Sequence, residues 1–186
     1  MTHFYTRKGD DGYTGLLGDE RVPKYHLRME AIGALDEATS ALGVARSSSH
    51  STDTNKMVLT IQRDLYGLMA EIAATPDNAA RFRVIDAGQV TWLEEMTDAT
   101  SSKIELPKEF ILPGDTQTGA FFALSRTIVR RAERRVAELY HSGAIENPEI
   151  LRYLNRLSSL CFVLELWENH QTGKPTPTLA KGDSNR

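Results

Sequence analysis

Apolar residues recur at helical spacing along most of the chain. Val58, Ile61, Leu65, Leu68 and Ile72 follow one another at steps of 3, 4, 3 and 4, which predicts a bundle seam over residues 56–74. Over 28–46, Met29, Ile32, Leu35, Thr39, Leu42 and Gly43 share one side of a helix, and Ala34, Ala38, Ala41 and Ala45 make a second stripe of small residues. Asp86-Ala-Gly-Gln89 reads as a capping box opening a helix with Val90, Leu93 and Met96 inward. Residues 120–139 are rich in Ala, Leu, Arg and Glu, and Phe121, Ser125, Ile128, Val129, Ala132, Val136 and Leu139 form their core face. Asn147-Pro148-Glu149 supplies cap, first-turn proline and first-turn acid for a last helix over 148–170. That helix is apolar nearly all round in its second half, with Asn155, Arg156 and Ser159 as the polar exceptions. It predicts burial on several sides and suggests oligomerisation.

The charged positions on these helices are not equivalent. Arg126, Arg130 and Glu133 stand at i, i+4 and i+7 along the edge of the core arc, and Arg134 lies just beyond. Arg131 and Arg135 point elsewhere and read as solvated. An arginine at a core edge needs an anionic partner, because an unpaired buried charge is costly. On the first helix, Asp36 falls between Met29 and Ile32 inside the apolar arc, whereas Glu37 falls outside it. Asp36 therefore calls for a local hydrogen bond or an ion pair, and Arg126 is the candidate partner.

The remaining segments are polar or glycine-rich. Glycines at 9, 12, 15 and 18 forbid a helix over residues 5–24 and let backbone N–H groups approach a ligand. Thr6, Lys8, Thr14 and Lys24 add hydroxyl donors and ammonium charge, which suits phosphate binding. A plain glycine-rich arm with a turn accounts for the same composition, and the Gly-x-x-x-x-Gly-Lys-Ser/Thr pattern is absent. Residues 47–55 read as a flexible polar loop in which His50 is solvated. Leu106 to Asp115 reads as an extended loop, in which Phe110, Ile111 and Leu112 are either a core plug or an apolar wall beside a ligand. The expected organisation is an arm over 1–27, a helical bundle over 28–171 and a flexible tail over 172–186. With five helical segments, no convincing strand and no repeat, the fold class is an all-α five-helix bundle.

Composition narrows the partners. Of 186 residues, 25% are charged and 40% hydrophobic, which is ordinary for a globular domain, and the net charge of −3 argues against nucleic acid despite the arginine-rich helix. The single cysteine, Cys161, sits in an apolar helix and reads as a small core residue. No apolar run approaches membrane-spanning length and no signal region opens the chain, so the expectation is a cytoplasmic protein with no membrane contact.

Three stretches together resemble the trimeric, PduO-type ATP:cob(I)alamin adenosyltransferases. They are Tyr5-Thr-Arg-Lys-Gly-Asp-Asp-Gly-Tyr-Thr-Gly-Leu with Arg21-Val-Pro-Lys24, then Phe110-Ile-Leu-Pro-Gly114, and lastly Arg126-Thr-Ile-Val-Arg-Arg-Ala-Glu-Arg134 with Asn147-Pro and Tyr153-Leu-Asn-Arg-Leu157. The resemblance runs from about residue 4 to residue 170. It implies a five-helix bundle assembled as a homotrimer, with sites between subunits. It implies ATP and a reduced corrinoid (cobalamin at cobalt(I)) as substrates, magnesium with the ATP phosphates, and adenosylcobalamin and triphosphate as products. A reductase and an adenosylcobalamin-dependent client enzyme are the implied partners. Residue by residue, Thr6, Lys8, Gly9, Gly12, Thr14 and Lys24 match the segment that wraps the triphosphate. Arg130, Glu133, Arg134 and Asn155 match nucleotide-side positions, with Arg130 on the phosphates. Asp36 and Arg126 match a pair that bridges two subunits beside the site. Phe110 matches an aromatic on the corrin side that excludes the lower axial base.

This chain departs from the family pattern at three places. Asp115 stands where Gly-Gly is usual after Ile-Leu-Pro, Asp19 and Glu20 follow Gly18 where a second glycine is usual, and Ala38-Thr39 replaces Leu-Asn in the first helix. A carboxylate turned toward a triphosphate would repel it by roughly 4 kcal/mol at about 4 Å and an effective dielectric near 20. These departures motivate an alternative, a non-catalytic ATP- or corrinoid-binding or escort protein of the same fold.

Overall fold

The computed structural model describes residues 5–181. Of the expected arm and tail, residues 1–4 and 182–186 lie outside the described residues. Helix α1 spans Leu27–Ser48 and α2 Thr52–Ala73. A four-residue helix α3, Pro76–Ala79, runs into a single 3-10 turn at Ala80–Phe82. Helices α4 (Ala87–Ser101), α5 (Gln117–His141) and α6 (Glu149–Gln171) follow. The five long helices are those the periodicity predicts, and α3 is an addition. Helix α5 packs against both α1 and α6, α2 lies on α1, and α4 lies on α6. No helix is long and apolar enough to cross a membrane among the described residues.

The caps explain the boundaries. Asp86 accepts from Gly88 N–H at 2.6 Å while Gln89 Oε1 accepts from Asp86 N–H at 3.0 Å, so the capping box forms. Asn147 Oδ1 accepts from Glu149 N–H at 3.1 Å, and its amide donates to Glu71 and to the carbonyl of Ile85. The serine-rich stretch is not the nine-residue loop that composition suggests. Ser47 and Ser48 hydroxyls bond back to Val44 O within α1, and Ser51 Oγ caps α2 by accepting from Thr54 N–H. Only residues 49–51 remain between the helices, with Ser49 buried and donating to Glu168. Serine reads as loop in composition, but the same hydroxyl terminates helices.

The arm contains strands that the sequence reading does not anticipate. Strand β1 (Tyr13–Gly15) pairs antiparallel with β2 (Arg21–Pro23), with Thr14 opposite Val22. Three residues per strand are too few for an alternation to stand out among glycines. The turn between them docks on the end of α2, where Leu17 N–H donates to Ala73 O at 2.8 Å. Gly18, at φ +157°, passes so close to Thr75 that a Cβ would lie 2.5 Å from its hydroxyl oxygen. Arg28, buried at the start of α1, donates to the carbonyls of Ile72 and Ala74 at the end of α2 and to Ala144 O at 2.6 Å. A cation there complements the C-terminal end of the α2 dipole.

The buried face of α1 combines Ala34, Ala38 and Ala45 of the small-residue stripe with Leu35 and Leu42 of the apolar arc. Ala31, Ala34, Leu35, Ala38, Leu42 and Ala45 are buried, whereas Met29 and Ile32 are only half-buried and Asp36 is exposed. The large side chains draw the apolar arc toward Met29, but close approach of α5 selects the alanines. Asp36 thus belongs to an outward stripe with Met29, Gly33, Ser40 and Val44. Burial of α6 comes from α4 and α5 within the same chain. Tyr153, Leu157, Leu160 and Cys161 are fully buried, and the Tyr153 hydroxyl donates to Asp64 at 2.9 Å. On the outer faces of α1 and α5, Val44 and Leu124 remain about half exposed, at 47% and 53%.

Candidate functional site

Two cavities collect the residues that the sequence singles out. The first, about 590 Å³, lies between the 106–113 loop, α5 and α6. Its walls are Leu106, Pro107, Phe110, Ile111, Pro113, Phe162 and Val163, and its polar lining includes Arg126, Arg130, Ser158, Ser159 and Glu165. Phe110 is 88% exposed, so it is a wall of this pocket and not a core plug. Arg126 and Arg130, one turn apart on α5, both reach this pocket. The Nε of Arg126 is buried without a hydrogen-bond partner among the described residues. Arg130 is exposed, and no hydrogen bond or ion pair engages its side chain among the described residues.

Glu165 is the residue that the sequence reading missed. It is buried in the middle of α6 and lines the same pocket. Burial pushes its carboxyl from an ordinary 4.5 up to about 7, Arg126 opposes that shift, and Asp115 adds to it. The available signal was a lone acid inside the run Leu164-Glu-Leu-Trp167.

The second cavity, about 480 Å³, is built by the arm and lined by Thr6, Lys8, Gly9, Tyr13, Thr14, Gly15, Arg21 and Lys24. Gly12 does not line it but makes its turn, at φ +81°, with its carbonyl accepting from Lys24 N–H at 2.9 Å. Gly9 leaves room for the Lys24 ammonium, which would lie 3.1 Å from a Cβ at that position. Arg21, also absent from the sequence reading of this site, grips Asp11 with two hydrogen bonds of 2.9 and 3.0 Å and donates to Lys8 O at 2.8 Å. That grip holds the Asp11 carboxyl below its usual range. Asp19 and Glu20 are exposed on the β1–β2 turn and do not line the cavity.

Other expected site residues fall into separate arrangements. Asn155 donates to Glu133 Oε1 at 3.1 Å, joining α6 to α5. Arg134 Nη1 donates to Arg130 O at 3.0 Å. The expected Asp36–Arg126 ion pair does not form within the chain, because Asp36 faces outward from α1. Glu37 is exposed, as expected, and pairs at the surface with Arg131, while Arg135 pairs with Glu138. The lining residues of the two cavities share no member.

Comparison with known proteins decides the family. The profile described as cobalamin adenosyltransferase matches residues 4–168. The chain belongs to the cobalamin adenosyltransferase family. It is 36% identical over 173 residues to the corrinoid adenosyltransferase of Bacillus subtilis, covering 91% of this chain and 88% of that protein. It is 34% identical over 167 residues to the corrinoid adenosyltransferase PduO of Citrobacter freundii, covering 89% of this chain but 50% of that protein. The chain therefore spans about half the length of its PduO relatives. A variant of the PduO-type ATP:corrinoid adenosyltransferase from Lactobacillus reuteri, solved with cobalamin and ATP, superposes with a TM-score of 0.89 at 30% identity, covering 97% of this chain and 100% of that one.

Proposed function

We propose that this chain transfers the 5′-deoxyadenosyl group of ATP to the cobalt(I) of a reduced corrinoid such as cobalamin, in the cytoplasm. The observation that carries this reading is the pair of cavities of opposite chemistry. One is a glycine-lined arm presenting Lys8, Lys24, Thr6 and Thr14, and the other is an apolar pocket walled by Phe110 with Arg130 on its side. Cobalt(I) attacks C5′ with its own electron pair, the C5′–O bond breaks, and triphosphate leaves with the bonding electrons while cobalt becomes formally cobalt(III). The protein's task is to place the two substrates and stabilise the departing charge. Arg130 contacts the phosphates, Asn155 holds Glu133 at the nucleotide, and Arg134 braces the backbone carrying Arg130. Phe110 stands against the cobalt face and keeps the lower axial base away. Magnesium accompanies the ATP phosphates.

The arm cavity and the Phe110 pocket share no residue, so we place the complete site between copies of the chain in a homotrimer. Asp36 on the outer stripe of α1 then meets Arg126 of a neighbouring copy. A reductase supplies the cobalt(I), and a client enzyme takes the product.

The test is anaerobic absorbance. Cobalamin reduced to cobalt(I) is mixed with protein, magnesium and ATP. Loss of the cobalt(I) band with growth of a light-sensitive adenosylcobalamin spectrum is expected. A stable cobalt(I) spectrum with folded protein would leave only the binding or escort role.

A further inference from the structure

The chain after α6 returns to the Phe110 loop. Leu179 lies opposite Ile111 in an antiparallel bridge. Leu112 N–H donates to Thr178 O at 2.8 Å, and Ala180 N–H donates to Phe110 O at 2.7 Å. Asp115 closes the arrangement. Its Oδ1 accepts from the Thr178 hydroxyl at 2.6 Å and its Oδ2 from the Thr178 N–H at 3.0 Å. The tail expected to be flexible over 172–186 is thus tied down at 178–180.

The two backbone bonds flank Ile111, one holding the Phe110 carbonyl just before it and the other the Leu112 N–H just after it. The Phe110 ring, 88% exposed, is therefore carried on a backbone pinned at its carbonyl. Little else secures the strand. Thr178, Leu179 and Ala180 are exposed, so no apolar core holds them. A short exposed pairing is marginal by itself, and hydrogen bonds to a carboxylate are the strongest of the four. Gly114, at φ +122°, gives the loop the bend that turns Asp115 back toward Thr178.

We propose that Asp115 is a positioning residue for Phe110, acting through Thr178 and the 178–180 strand. It fixes the backbone of residues 110–112 and with it the place of the Phe110 ring in the pocket shared with Arg126 and Arg130. The structural part is independent of the proposed reaction, and its catalytic consequence rests on that reading.

The test places a trifluoromethyl-phenylalanine at position 110 and records its fluorine NMR line. In Asp115→Ala and Thr178→Val the line should narrow and shift, whereas Thr178→Ser, which keeps the hydroxyl, should match the parent. Melting temperatures should not change, since the clasp lies outside the helical core. An unaltered line in Asp115→Ala would overturn the proposal. The second arm keeps the natural Phe110 and measures, by EPR with ATP present, the fraction of bound cobalt(II) cobalamin that is four-coordinate. Asp115→Ala should lower it about tenfold, the factor one charge-assisted hydrogen bond supports, with KM for ATP unchanged. An equal fraction in variant and parent would overturn the catalytic consequence. A parent lacking the four-coordinate species would count against the proposed function, and the fluorine line would still decide the role of Asp115.

Discussion

Asn155 donates to Glu133 at 3.1 Å, and the same asparagine accepts from Arg156, whose Nε donates to Glu94. One line of hydrogen bonds therefore runs from α4 through α6 to α5. Its far end, Glu133, stands one turn from Arg130 on the same helix. Asn155→Ala cuts the line at its centre. Because Asn155 is exposed, stability should fall by only about 0.5–1.5 kcal/mol. KM for ATP should rise about tenfold if Glu133 loses its orientation at the nucleotide. Steady-state kinetics at varied ATP checks this.

Among the described residues no hydrogen bond or ion pair engages the Arg130 side chain. Arg130→Ala should leave the melting temperature and assembled mass unchanged and lower turnover by roughly 10²–10³, the usual cost of removing a donor aimed at developing charge. Lysine at this position should recover part of the rate, since it keeps the charge but not the forked geometry. Unchanged turnover in Arg130→Ala would remove Arg130 from the phosphate.

Asp36 and Arg126 are unpaired with each other in one chain, and the proposed trimer pairs them across copies. Asp36→Ala and Arg126→Ala should each weaken assembly in sedimentation velocity, since removing one partner of a buried pair costs about 3–5 kcal/mol. The exchanged double variant, Asp36→Arg with Arg126→Asp, should recover assembly. A trimer equally stable in both single variants would contradict the pairing.

Glu165 gives the fold a pH dependence of known sign. Its folded carboxyl titrates near 7 against an ordinary 4.5. Between those values the folded chain holds a proton that the unfolded chain has released, so stability falls as pH rises through this window. Glu165→Gln should flatten that slope and raise the melting temperature at pH 8 by a few degrees, the shift about 1 kcal/mol produces in a chain of this size. Melting curves from pH 4.5 to pH 8 measure it.

Cys161 is fully buried, and burial pushes its thiol up to about 12. It should resist thiol reagents in the native protein and react once with full unfolding. Native reactivity at the rate of a free thiol would contradict its place in the core.

The sequence made the helices readable because their seams are long. The Val58–Ile72 spacing and the Asp86–Gln89 capping box both appear in the structure as the residues require. Where the reading failed, short-range chemistry competed with composition. Ser51 caps a helix inside a stretch that reads as loop, and the alanines of α1 outweigh Met29 and Ile32 because small residues admit α5. Asp36 turned outward as a result. The arm's candidate residues were legible as a set, since Thr6, Lys8, Gly9, Thr14 and Lys24 line one cavity. Arg21 and Glu165 were not, because Arg21 meets Asp11 and Lys8 only once β1 and β2 pair, and Glu165 meets Arg126 only once α5 and α6 pack. The clasp of Asp115 on Thr178 spans 63 positions, which no periodicity could reveal.

The proposed reaction is adenosyl transfer from ATP with loss of intact triphosphate. Its most direct test is phosphorus NMR and chromatography on one anaerobic reaction of cobalt(I) cobalamin, magnesium, ATP and protein. Adenosylcobalamin and triphosphate should appear in equal amounts, neither forming without protein. Bound ATP and corrinoid recovered unchanged, or phosphate released without a cobalt–carbon product, would contradict it.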